Sequence, residues 1–167
     1  LSAGLDGKLI VWNAPLGFKL NAITLKNRFV MSCCYERTQN NLVATGGLDN
    51  LVTVHRVGHT DTPEVELAGH QGYISCLQFL NSSALLSGSG DSMLTLWDIS
   101  KQQAVRRFMA CLADVTSVST YHLMPNLLVS GSCDSTARLW DVRTSKVVYT
   151  FRSHSVDVNA VRFFPNG

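Results

Sequence analysis

Ser87-Gly88-Ser89-Gly90-Asp91-Ser92-Met93-Leu94-Thr95-Leu96-Trp97-Asp98 decides the fold of this 167-residue chain, because its landmarks return three more times. Ser130, Asp134 and Trp140-Asp141 repeat them at the same offsets, as do Ser2, Asp6 and Trp12-Asn13. Thr45 and Asp49 keep the phase, with His55 in the Trp place. The hydroxyl residue stands four before the Asp, the Asp six before the ring, and successive Asp residues lie 43, 42 and 43 apart.

Other marks share this phase. His70, after Gly69, stands four residues before the apolar Ile74, and His154, after Ser153, four before Val158; Val30 and Val115 hold the same place in the remaining copies. A period of about 40–45 residues carrying these marks is the signature of the WD repeat. Within one period the texture is that of strands. Tyr73–Phe79 reads as a first strand, Asn81-Ser82-Ser83 as a turn, then Ala84–Ser89, Met93–Asp98 and Ala104–Met109 as three more. The runs are β-branched or aromatic and are divided by Gly, Ser, Asn and Asp, as hairpins require. No stretch carries a helical apolar period.

The repeat predicts an all-β chain, a WD40 β-propeller left open and partial, made of four-stranded antiparallel blades stacked around a channel. Residues 1–24 are expected to form part of a blade, 25–68, 69–109 and 110–152 a blade each, and 153–167 the start of the next. The chain opens and stops inside blades, so it reads as a fragment of a longer protein.

Composition narrows the function classes. With 46% hydrophobic and 16% charged residues there is material for a core and too little charge for disorder. The formal charge is +2, and its densest basic pair is Arg106-Arg107, which is no electrostatic footprint for nucleic acid. No apolar run reaches the roughly 18–20 residues of a membrane span. The five cysteines (Cys33, Cys34, Cys76, Cys111 and Cys133) are odd in number and lack a C-x-x-C pair, which suits buried free thiols in a reducing compartment.

His70, Ser87 and Asp91 would suit a nucleophilic triad. However, Ser130, Asp134 and Trp140 repeat the offsets of Ser87, Asp91 and Trp97, and a catalytic site has no reason to be copied with the period of the fold. The expected role is a buried hydrogen-bond network that ties the Asp turn to the third-strand Trp. The Gly-rich turns open onto no helix and carry no phosphate-loop pattern, and His70 and Cys76 have no second pair to complete a metal site. No enzyme, cofactor or metal is expected.

More particular stretches are Asp6-Gly-Lys-Leu-Ile-Val-Trp12, Gly46-Gly-Leu-Asp-Asn50, Ala68-Gly-His-Gln-Gly-Tyr73, Leu139-Trp-Asp-Val-Arg143 and Asp157-Val-Asn-Ala-Val-Arg-Phe-Phe-Pro-Asn-Gly167. These resemble heterotrimeric G-protein beta subunits, in register along the chain apart from about one extra residue near Asn40-Asn41. The resemblance implies about four of seven blades. It also implies a non-enzymatic scaffold whose channel mouth binds a GDP-bound alpha subunit and, after activation, effectors. A permanent gamma subunit would supply a prenyl anchor at the cytoplasmic face of the plasma membrane. The matching contact positions are Lys8, Ile10, Lys19, Met31, Leu48, Asn50, Tyr73, Asp114, Asp157 and Asn159, with Phe29 where the family has Trp. They are expected to ring one mouth, with apolar anchors beside charges. Gln71 and Thr116 depart from the usual contact residues, Ala110-Cys111 replaces Gly-His, and His55 replaces a Trp. The alternative is another WD-repeat adaptor, a ubiquitin-ligase substrate receptor or a ribosome-associated scaffold; substrate receptors usually line the mouth with Arg.

Overall fold

Each Asp of the repeat makes the same tight turn. Its Oδ1 accepts the backbone N–H two residues on: Lys8 at 3.2 Å from Asp6, Leu51 at 3.3 Å from Asp49, Met93 at 2.9 Å from Asp91 and Thr136 at 3.1 Å from Asp134. The residue after the Asp is left-handed in all four, with φ of 73° at Gly7, 62° at Asn50, 67° at Ser92 and 64° at Ser135. Gly and Asn adopt that conformation most readily, which gives Asn50 a backbone reason to be there.

The computed structural model describes residues 1–59, 61–121 and 123–164. Among them there is no helix, and the strands form four antiparallel sheets. The first holds β1 (Ser2–Ala3), β2 (Lys8–Asn13) and β3 (Phe18–Thr24), and the second β4 (Val30–Tyr35), β5 (Leu42–Gly47), β6 (Val52–Arg56) and β7 (Val65–Leu67). The third holds β8 (Ile74–Asn81), β9 (Ala84–Ser89), β10 (Met93–Asp98) and β11 (Gln103–Met109). The fourth holds β12 (Val115–Tyr121), β13 (Met124–Ser132), β14 (Ala137–Asp141) and β15 (Lys146–Phe151). Strands follow chain order within every sheet, so each is a meander, and the sheets stay open as in a partial β-propeller. The first sheet has three strands rather than four.

The sheets stack in sequence. Leu9, Ile23, Leu25 and Val43 join the first two, and Val52, Val54, Ile74, Leu85 and Trp97 join the second and third. Leu86, Leu94, Phe108, Val115, Leu128 and Trp140 join the third and fourth. One glycine per sheet admits the next. A Cβ on Gly46 would lie 2.5 Å from Ile74, on Gly88 2.7 Å from Val115, and on Gly131 2.9 Å from Val158. These are the phase-matched apolar residues of the following sheet or segment, so the small residue before each Asp is an inter-sheet contact.

The first strands are also stitched to one another. Gln78 Nε2 donates to Thr120 Oγ1 at 2.7 Å, and the Thr120 N–H donates back to Gln78 Oε1 at 3.2 Å. The segment 153–164 carries no assigned strand but runs beside β12. Val161 and Phe163 N–H donate to Ser117 and Ser119 Oγ, and the Arg162 guanidinium donates to the Val118 carbonyl. Of the Phe-Phe-Pro-Asn-Gly ending, 165–167 lie outside the described residues. All five thiols are unpaired. Burial pushes the Cys34 thiol up to about 12 and Cys76 up to about 11, which makes both poor nucleophiles.

Candidate functional site

In the third sheet His70, Ser87, Asp91 and Trp97 form one chain of hydrogen bonds. Trp97 Nε1 donates to Ser87 Oγ at 2.8 Å, Ser87 Oγ meets His70 Nε2 at 2.7 Å, and His70 Nδ1 meets Asp91 Oδ2 at 2.7 Å. Burial pushes the His70 imidazole below its usual range, against the pull of Asp91. A neutral ring fixes the directions: Nδ1–H donates to the carboxylate and Nε2 accepts the Ser87 proton. The His70–Asp91 contact is then a hydrogen bond rather than an ion pair. Burial works to raise the Asp91 carboxyl, but the Gln71 backbone N–H and His70 outweigh it and hold it low. Every polar atom of the chain is used up holding the next, and no nucleophile faces open space.

The fourth sheet keeps half of this. Trp140 Nε1 donates to Ser130 Oγ at 2.9 Å, but Cys111 fills the histidine place and reaches no such chain. Asp134 instead pairs with Arg138 at 2.8 Å and accepts from Thr136 Oγ1 at 2.6 Å. Burial raises the Asp134 carboxyl, yet Arg138 and Thr136 outweigh it and hold it at about 2. The second ring changes as well. Trp97 meets the His70 ring edge to face at 5.9 Å, and Trp140 meets Phe108 at the same distance. Arg138 has no counterpart in the repeat marks; the missing histidine at position 111 was the only signal that Asp134 needed another partner.

The Asp turns lie at one end of the sheets, together with the connections between sheets. Leu25 N–H reaches the Gly7 carbonyl at 2.7 Å, Leu48 N–H that of Phe29 at 3.1 Å, and Gly90 N–H that of Tyr73 at 2.9 Å. Most of the candidate contact residues gather at this end. Phe29 (58% exposed), Met31 (55%) and Leu48 (52%) form an uncovered apolar group around the Phe29–Leu48 backbone contact. Lys8, Asp157 and Asn159 are exposed, and Ile10, Asn50, Tyr73 and Asp114 are half-buried.

Three features differ from the expected ring. Lys19 stands apart: β2–β3 pairing puts Lys8 opposite Thr24 and Lys19 opposite Trp12, beside the hairpin at the far end. Four residues of strand separate the two levels, roughly 13 Å. Tyr73 is no free anchor, since its hydroxyl donates to Asp114 Oδ2 at 2.6 Å and joins the third sheet to the fourth. That hydrogen bond, helped by burial, pushes the phenol up to about 12. Thirdly, Met31 does not simply alternate with Val30. The β4–β5 register slips between Val30 and Ser32, as β8–β9 does at Ser75 and β12–β13 at Thr116. Bulges of this kind re-aim a side chain. The Ser75 hydroxyl is spent on the Val115 carbonyl and that of Thr116 on the Val158 carbonyl. Met31 makes no such bond and is left facing solvent.

Comparison with known proteins agrees with this architecture. The family described as "WD domain, G-beta repeat" matches residues 61–98 and 102–141. The chain is 42% identical over 124 residues to a protein of Lymnaea stagnalis named guanine nucleotide-binding protein subunit beta. That match covers 72% of this chain and 36% of the relative, so the chain spans about a third of the relative's length. The chain therefore belongs to the WD-repeat family, as a homologue of G-protein beta subunits.

Proposed function

We propose that this chain is part of a non-enzymatic signal transducer. Its Asp-turn face holds a GDP-bound alpha subunit and, once that has left, presents the same face to effectors. The observation that carries the reading is the exposed group Phe29, Met31 and Leu48, with Lys8, Asp157 and Asn159 at the same end of the sheets. Three large apolar side chains in one place, rimmed by charge, suit a protein partner. The polar constellation that could suggest catalysis is consumed internally, as a scaffold requires. Among the described residues no helix is long and apolar enough to cross a membrane. Attachment to the cytoplasmic face of the plasma membrane would come from a lipidated gamma subunit held permanently by the full-length protein.

The test uses the full-length protein coexpressed with a gamma subunit. Binding is measured to an alpha subunit loaded with GDP or with a non-hydrolysable GTP analogue. GDP-selective binding is expected, weakened by about tenfold or more in Leu48→Ala and in Asp157→Ala. A folded protein that binds neither nucleotide state would overturn this reading in favour of the adaptor alternative.

A further inference from the structure

The place filled by rings in the third sheet is a pocket in the second. Lys26 is in phase with His70, Thr45 with Ser87, Asp49 with Asp91 and His55 with Trp97. All four line one cavity of about 120 Å³ where the first sheet's outgoing chain meets the second sheet. Lys26 turns away to pair with Glu66 at 2.7 Å, so nothing replaces the His70 ring. His55 puts an imidazole where the third and fourth sheets hold the larger indole. Leu25, Val30, Leu51 and Pro63 supply apolar wall.

The polar wall is rich in acceptors. His55 is 2% exposed, and its Nδ1 has no hydrogen-bond partner. The ring is hydrogen-bonded to the Asp61 backbone, which requires an N–H on the other nitrogen and leaves Nδ1 as an acceptor. The Thr45 and Thr53 hydroxyls share a 2.7 Å hydrogen bond at the same wall, and Asp49 adds its carboxylate. In the neighbouring sheets an aromatic N–H donor, that of Trp97 or Trp140, occupies the corresponding space.

We propose that this pocket is a binding site for a small one-ring aromatic molecule carrying an N–H or O–H donor, which His55 Nδ1 accepts. The volume is close to that of the roughly 150 Å³ cavity known to take up benzene, and the polar lining keeps the site wet until a donor displaces the water. The site is independent of alpha-subunit docking and stands or falls separately from it.

The experiment is a titration of the full-length protein, labelled with ¹⁵N-histidine, with pyrazole and phenol as probes and toluene as a ring without a donor. Both donors should bind saturably with Kd on the order of a millimolar, and toluene at least about tenfold more weakly. The His55 Nδ1 resonance should move as it accepts a hydrogen bond. His55→Trp should fill the pocket, abolish binding and raise the Tm. Should that variant fail to fold, the His55 resonance of the unaltered protein decides alone. An unmoved Nδ1 resonance with both donors, or undiminished binding by folded His55→Trp, would mean a wet cavity only and would overturn the proposal.

Discussion

The third and fourth sheets share a strand plan, an Asp turn and a Ser–Trp hydrogen bond, yet their polar interiors are built differently. In the third a neutral histidine passes hydrogen bonds from Trp97 to Asp91; in the fourth Arg138 holds Asp134 directly and Cys111 stands aside. Both sheets nevertheless keep the same turn, with Ser92 and Ser135 left-handed. The comparison separates what the blade requires from what it tolerates. The Asp Oδ1 that closes the turn and the Trp anchored on a strand hydroxyl recur wherever the marks do. The second partner of the Asp is free to change, provided the carboxylate is not left unpaired.

The largest expected effect should fall equally on the two sheets. Trp97→Ala and Trp140→Ala should each cost about 3–5 kcal/mol in urea unfolding of the full-length protein, because each empties a buried ring site. A clearly smaller cost at Trp140 would mean that the histidine chain, and not the Trp, carries the blade.

The next effect should divide them. His70→Ala strands Ser87 and Asp91 and should cost about 1–3 kcal/mol, whereas Cys111→Ala should cost less than about 1 kcal/mol, since Asp134 keeps Arg138. Equal costs would break the comparison.

The smallest effect is in acid sensitivity, and it also differs between the sheets. His70 is depressed in the folded state, so its contribution is complete above the ordinary histidine pKa of about 6.5 and is lost as pH falls towards its lower folded value. Asp134 is held at about 2 against an ordinary 3.8, so its contribution, about 2 kcal/mol, is complete above 3.8 and lost only as pH falls towards 2. Amide exchange corrected for intrinsic rates should therefore show β8–β11 loosening between pH 7 and 5 while β12–β15 holds. Arg138→Met should move the fourth sheet's loss to higher pH.

The blade plan was legible because it is periodic. Asp6, Asp49, Asp91 and Asp134 keep their spacing, and a turn of fixed geometry must be re-specified in every copy. What was not legible is what varies between copies. The bulge at Met31, Ser75 and Thr116 is invisible because three unlike side chains share one backbone event. The Tyr73–Asp114 bond spans 41 residues and two sheets, which no local pattern announces. Arg138 lies on a strand where an Arg ordinarily reads as solvent-facing. Lys19 fell outside the face because a set of contact positions taken from a resemblance does not say at which end of a strand each one lies.

The account rests on the Asp-turn end of the sheets being the docking face. The most direct measurement is hydrogen–deuterium exchange on the full-length protein with its gamma subunit, with and without GDP-bound alpha subunit. Protection is predicted at 26–31, 47–51, 71–74 and 112–115, with 13–17, 99–102 and 142–145 unchanged. Protection confined to 13–17, 99–102 and 142–145 would contradict it.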